Sequence, residues 1–568
     1  MDTLLTQLEK IEVGDPNNII RLKNNINNKS NANCSSSINP NLLNDLVKRA
    51  QTFFSLSLFR KCLQCSETVL DIIPSDIGVG LDLENVRLRG VDIKGKALLG
   101  LGEYEECLIF LGRESKILKN LGLKLPPPMS PVYTRHLQHW KYLMERGKVL
   151  QRQKIRGEID MGAFIPNKKV RLEVDSVVEY ESEAVEIGAV IPGKGRGVVA
   201  RQDIAKGTII LTTRAFEIIF DTDDEDDDLE NAIAQRMRLD SKLIPTVYQL
   251  HAGKEMGCLF ASYITNSENH HKSKNNDNND GTTMKIDLKR IEKICTMNSF
   301  GNSKNSSGYG HNSRGLWVRA SFFNHDCIAF NAMWKVLGDF LFVRTTKDVK
   351  KGEEVLISYT DSAEPYEERE KFFQAHDFSC ACRLCQYQEK EDVKMRGRRL
   401  EIVKKLVEID EKDRKTISAD DLEKDIAFGE KCLSELESMI GSRPEWNFST
   451  HVALDLLTKL YLQKGDVAKY KETAVKYYIV VNCSGMTKAE IDKCELEDVA
   501  DRGPCLEVGA AGQVCAVFMK SGDYVGAQKW IKILRQDLAL MYGKGSDILK
   551  KLYPQLYAQA VKNGLSLD

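Results

Sequence analysis

Apolar residues recur at helical spacing over residues 41–150, change to a β-like pattern near Val177, and return to helical spacing from Lys394 onward. In the first stretch Leu43, Leu46, Val47 and Ala50 form one stripe, as an amphipathic helix would place them. Ahead of it, residues 17–40 are rich in Asn and Ser with little apolar periodicity, which predicts a disordered lead-in over 1–40. The middle stretch holds glycine-bounded β-rich runs at Ala184–Val190 and Gly207–Leu211, and β-character resumes at Leu316–Arg319, Phe340–Thr345 and Glu354–Tyr359. Between these runs, residues 229–265 are helical in pattern and Met284–Phe300 has room for one helix. Residues 267–282 and 301–313 are low-complexity and read as loop insertions. Asp221–Asp228 is an almost unbroken acidic run, either a solvated loop or a patch that steers basic peptide tails.

Within the helical stretches some turns repeat. Ala97-Leu98-Leu99-Gly100-Leu101-Gly102-Glu103-Tyr104 sets small residues, then Leu-Gly and an aromatic, where a tight helix-turn-helix needs them. Ala50, Phe54, Phe59 and Cys62, closed by Pro74, form an earlier imperfect copy. Leu460–Asp466 and Val517–Tyr524 each place an apolar helix end before a Gly-Asp turn, and Ala527 follows at the spacing of a second packed helix. These units resemble degenerate tetratricopeptide repeats, which implies protein partners for the helical regions; for the N-terminal pair an irregular helical domain is the alternative.

Composition narrows the function classes. The chain has 568 residues, so several domains are expected, and a formal net charge of -1 offers no bulk basic excess for nucleic acid or a membrane surface. Met1–Asn18 has no apolar core of a signal peptide and no run reaches the length of a membrane span, so a nuclear or cytoplasmic protein that is not secreted is expected. Its 15 cysteines should then be reduced thiols, most of them small core residues. Cys380, Cys382 and Cys385, three within six residues, stand apart as metal-ligand candidates. Lys394-Met395-Arg396-Gly397-Arg398-Arg399 is a short basic cluster, a nuclear-entry signal or a helix-start surface patch.

Four clusters in the β-rich middle carry candidate chemistry. Gly193-Lys194-Gly195-Arg196-Gly197 lets backbone approach a ligand while two cations meet a carboxylate, although alone such a run is also a common surface turn. Phe322-Phe323-Asn324-His325-Asp326-Cys327, then Lys351-Gly352-Glu353-Glu354-Val355-Leu356-Ile357-Ser358-Tyr359, then Phe378-Ser379-Cys380-Ala381-Cys382-Arg383-Leu384-Cys385 follow in order. Taken together the four resemble the SET-domain family of protein-lysine methyltransferases, strongly over residues 183–390 and, through the helical tail ending in Leu540-Met541-Tyr542-Gly543, loosely its SET-and-MYND subgroup. Two departures stand out. Asp326 replaces the family's usual Ser, and Ala329-Phe330-Asn331 stands where Pro-Asn is usual, Asn331 reading as the same asparagine displaced by one. The MYND finger is also missing, since only Cys258 and Cys295 lie between Gly197 and Asn324.

The resemblance implies an α+β fold. A β-rich knotted SET core (176–378, with both insertions) and a post-SET zinc loop (379–390) would be flanked by helical tetratricopeptide-like domains at 41–175 and 391–568. It implies S-adenosylmethionine as cofactor, held by Lys194, Gly195, Arg196, Asn298, Asn324, His325, Tyr359 and Phe378, with Tyr359 also the catalytic residue. It implies one structural zinc on Cys327, Cys380, Cys382 and Cys385, and a protein lysine, on a histone tail or elsewhere, as substrate. The competing reading is a SET and tetratricopeptide scaffold of weak or no activity, which the altered residues after Cys327 favour.

Overall fold

A computed structural model describes residues 40–73, 81–122, 130–165, 172, 176–220, 228–256, 286–302, 312–361, 364–412, 417–439, 449–482, 508–543 and 548–567. The expected lead-in up to residue 39, the 267–282 insertion, nearly all of the acidic run and the middle of the 301–313 insertion lie outside the described residues. The chain divides into two compact units, one of residues 1–159 with 172–179, the other of residues 160–171 with 180–568.

The first unit is helical. It contains α1 (Pro40–Ser55), α2 (Phe59–Ile72), α3 (Leu81–Gly100), α4 (Tyr104–Gly122) and α5 (Ser130–Arg156). Leu43, Leu46, Val47 and Ala50 are all buried, so the stripe that predicts α1 also seats it. Gly102 ends the α3–α4 turn at φ +72°, a left-handed conformation that only glycine adopts without strain. Gly100 answers to packing, since a Cβ there would lie 2.8 Å from the Phe59 ring.

In the second unit short sheets enclose the core. A four-stranded sheet runs β1 (Tyr180–Glu181), β4 (Ile209–Arg214), β10 (Phe340–Thr345), β9 (Ala332–Leu337). The hairpin of β2 (Val185–Ile191) and β3 (Gly195–Ala200) is separate, as is a three-stranded sheet of β5 (Glu217–Phe220), β7 (Ser313–Leu316) and β6 (Ser299–Asn302). The 301–313 insertion therefore begins and ends in paired strands. A parallel pair joins β8 (Asn324–His325) to β11 (Leu356–Ile357). Helices α6 (Leu229–Leu239), α7 (Ile244–Tyr248) and α8 (Leu288–Asn298) lie between the strands in sequence, and Ile233, Val247, Ile294, Trp317, Phe323, Leu341 and Ile357 share one buried cluster.

Beyond the sheets come α9 (Tyr366–Ala375), α10 (Arg383–Glu389), α11 (Val393–Asp410), α12 (Ala419–Ser438), α13 (Thr450–Lys464), α14 (Val467–Asn482), α15 (Val508–Lys520), α16 (Tyr524–Tyr542), α17 (Ile548–Leu552) and α18 (Pro554–Lys562). Consecutive helices pair across the Gly-Asp turns read from the sequence. Gly465 and Gly522 take positive φ, and Asp466 and Asp523 each accept a backbone N–H from the helix that follows. A β-rich core flanked in sequence by N- and C-terminal helical regions is thus the architecture. No helix among the described residues is long and apolar enough to cross a membrane.

Alanine is about 1 kcal/mol better than glycine inside an exposed helix, so Gly100→Ala should stabilise if only propensity counted. With the Phe59 ring in the way it should instead destabilise by about 1–3 kcal/mol in urea denaturation. A gain in stability would contradict the packing account.

Candidate active site and cysteine cluster

The glycine-rich run resolves into three different tasks. Gly193 and Gly195 take φ of +76° and +81° at the hairpin tip, with open space around both. Gly197 lies inside β3, where a Cβ would sit 2.7 Å from Asn324 Nδ2 and 2.9 Å from Glu354 Oε1. Its missing side chain is what lets those two groups approach. The Lys194 ammonium pairs with Glu354 Oε2 at 2.7 Å. The Arg196 guanidinium donates to the Gln249 carbonyl and lies over the Phe322 ring, 4.7 Å from its centroid.

Strand β8 sits beside β11 with Asn324 opposite Leu356 and His325 opposite Ile357. The Asn324 amide donates to Glu354 Oε1 (2.7 Å) and to the Arg196 carbonyl (3.2 Å). At His325, the backbone N–H of Tyr359 donates to Nδ1 at 2.9 Å. A backbone amide can only donate, so Nδ1 carries its lone pair and the proton of the neutral ring sits on Nε2, 3.1 Å from Cys327 Sγ. Burial holds the His325 pKa down at about 4, so the ring is neutral. The Tyr359 and Phe373 rings lie with centroids 5.0 Å from it, and Phe378 lies 4.8 Å from Phe373. The Tyr359 hydroxyl donates to the Phe323 carbonyl at 2.6 Å, and burial raises its pKa, keeping it protonated.

Cys327 meets the three clustered cysteines. Its sulfur is 3.8 Å from that of Cys380 and 3.6 Å from that of Cys385, and all four sulfurs lie within 4.8 Å of one another. Disulfides need about 2.05 Å, so these thiols are unbonded. Sulfurs bound tetrahedrally at about 2.3 Å to one zinc ion would stand about 3.8 Å apart, which fits the spacing observed. Around them, the Cys385 N–H donates to Cys382 Sγ, and buried Arg369 donates to Cys385 Sγ (3.7 Å) and to Gln388 Oε1 (2.5 Å). Among the described residues no second group of this kind occurs, and His376 instead stacks on Phe372.

The altered positions on either side of Cys327 both make structural hydrogen bonds. Asp326 Oδ1 accepts the N–H groups of Ile328 and Ala329, the task a short polar side chain performs in such a turn. Asn331 braces β11, accepting from Leu356 N–H through Oδ1 at 2.9 Å and donating to the Glu354 carbonyl at 3.0 Å. Asn298 lies earlier in the chain, at the end of α8. Its amide donates to the carbonyls of His251 and Ile294. Lys194, Arg196, Asn324, His325, Tyr359 and Phe378 thus gather around β8 and β11 together with Asn331, and Glu354, Arg369 and segment 249–254 are members that motif reading missed. Glu354 lay inside the quoted Gly-Glu-Glu run, so its position was visible; Arg369 and segment 249–254 carried no local signal.

Residues 195–360 match the SET domain family. A methyltransferase of Gibberella zeae is 26% identical over 34% of this chain and 30% of its own length. A SET and MYND domain-containing protein of Dictyostelium discoideum is 42% identical over 12% of this chain and 14% of its own. The histone-lysine N-methyltransferase set5 of Schizosaccharomyces pombe is 22% identical over 37% of this chain and 53% of its own. The chain therefore spans about half or less of these relatives. Strand β3 and the parallel β8–β11 pair lie within the stretch that matches, so residues 195–360 are a SET domain, in a chain with relatives among the SET-and-MYND proteins and the methyltransferases.

Proposed function

We propose that this chain transfers methyl groups from S-adenosylmethionine to lysine side chains of proteins. The observation that carries the reading is Tyr359, its hydroxyl tied to the Phe323 carbonyl, its backbone N–H to His325 and its ring against Phe378. The residues present fit the cofactor. The hairpin tip has open space at Gly193 and Gly195, and the Asn324 and His325 side chains are engaged within the protein, leaving backbone groups and the Phe378 ring to meet a ligand. When bound, the cofactor supplies a methyl group on a cationic sulfur.

The chain's own task is to present a neutral amine. Deprotonating a free lysine of pKa near 10.4 at pH 7 costs about 4–5 kcal/mol. An apolar channel disfavours the ammonium, as does a nearby cation, so no strong base is required. Tyr359 stays a neutral phenol, held by the Phe323 carbonyl as an orienting dipole. The substrate would be a histone tail or another protein, and the paired helices, read as tetratricopeptide-like, would bring further protein partners. The arginines of the basic cluster are paired within the fold, Arg396 with Glu367, Arg398 with Glu435 and Arg399 with Glu391, which supports a helix-start patch over a nuclear signal.

One zinc on Cys327, Cys380, Cys382 and Cys385 belongs to the same reading. It would join the post-SET turn to the strand that carries Asn324 and His325. The hydrogen-bonded Asp326 and Asn331 support the enzyme over an inactive scaffold.

Three outcomes are expected. Purified protein incubated with tritiated S-adenosylmethionine and a proteome extract should label protein lysines; no cofactor binding and no label would end the reading. Tyr359→Phe should keep cofactor affinity within about threefold while the rate falls by about 10²-fold or more; an undiminished rate would remove the role given to Tyr359. Metal analysis should find one zinc per chain. Cys327→Ser should lose most of it and fall in melting temperature, whereas full occupancy in that variant would contradict the ligand set.

A further inference from the structure

Asp377 immediately precedes Phe378 and adopts φ +55°, one of two non-glycine residues with positive φ among the described residues. That backbone closes the end of α9, where the Asp377 N–H donates to the Gln374 carbonyl and the Phe378 N–H to the Phe373 carbonyl. Its side chain meets Gly253 and Lys254, the latter 123 residues away in sequence. Asp377 Oδ2 accepts the Lys254 backbone N–H at 3.3 Å. Gly253 has φ +87°, and a Cβ on it would lie 2.8 Å from that same oxygen. The glycine therefore has two independent reasons to be glycine, its own backbone and the carboxylate seated against it.

The two segments thus joined are the ones that hold the site residues. Segment 249–254 is fixed at its start by Arg196, which donates to the Gln249 carbonyl, and at His251 by the Asn298 amide. Asp377 fixes its end. On the other side Asp377 leads into Phe378, whose ring packs against Phe373, His325 and Tyr359. Among the described residues the Asp377 carboxylate makes no other hydrogen bond, so it works between these two segments.

We propose that Asp377 and Gly253 form a latch that fastens the Phe378 turn to segment 249–254 and so sets how long S-adenosylmethionine stays bound. The proposal rests on the cofactor reading above. Asp377 is a positioning residue in it, acting through Phe378 and the backbone of Lys254. Exchange of cofactor requires the turn and the segment to part, and the Asp377 bond is what must break.

A purely structural role and a latch predict opposite things for Asp377→Gly. Glycine relieves the left-handed backbone, so the fold should be as stable as wild type or more so. The latch account nevertheless expects the full-length variant, loaded with tritiated S-adenosylmethionine and chased with unlabelled cofactor, to release label about tenfold faster. Asp377→Asn keeps a side-chain oxygen acceptor and tolerates positive φ, and should release at close to the wild-type rate. In a double-mutant cycle on melting temperature, Gly253→Ala should be less damaging in the Asp377→Gly background than alone, because the clash with the carboxylate is gone. Wild-type release by Asp377→Gly, or equally fast release by Asp377→Asn, would overturn the latch while leaving the cofactor reading intact. A wild-type protein that binds no cofactor would overturn both.

Discussion

The sulfur of Cys327 is the point on which the site depends. It belongs to the turn that follows β8, yet its neighbours are Cys380 and Cys385, more than 50 residues later. Thiols so far apart in sequence gain little from one another as protein groups alone. A shared metal, as proposed, would supply the missing stabilisation, because each ligand it recruits from a flexible chain is ordered by the same binding free energy. Through Cys327 that ordering would reach β8, and through β8 it would reach Asn324, His325 and the β11 strand, two residues before Tyr359.

His325 makes the connection specific. Its two nitrogens have different duties, one accepting from the Tyr359 backbone and the other donating to a cluster sulfur. Ligand sulfurs tuned by a second layer of hydrogen-bond donors are a general feature of metal sites, and Arg369 plays a similar part at Cys385. The same imidazole therefore senses the cysteine cluster on one side and positions the tyrosine on the other. Burial, which keeps the ring neutral, is what fixes this division of roles.

Much of this was legible from sequence because it is written locally. The three close cysteines, the Gly-Glu-Glu strand and Asn-His-x-Cys are runs of adjacent residues, and helix-ending Gly465-Asp466 and Gly522-Asp523 announce their turns by backbone chemistry. Strand Phe340–Thr345 and a helix within Met284–Phe300 were also readable from periodicity. Long-range partners were not. Nothing near Gly197 says that its missing Cβ makes room for Asn324 and Glu354, and nothing near Asp377 names Lys254. Asp326 and Asn331 looked like defects against the family pattern. Their hydrogen bonds explain them as a different way of holding the same turn, which only coordinates could reveal.

The central claim is that cysteine cluster and tyrosine site form one unit through His325. Long-range proton–nitrogen correlation spectra of protein labelled with ¹⁵N-histidine, with His325 assigned by its absence in His325→Gln, test it most directly. The account predicts a neutral ring protonated at Nε2 in the zinc-loaded protein, with both nitrogen shifts changing when a chelator removes the metal. A ring protonated at Nδ1, or shifts indifferent to chelation, would contradict it.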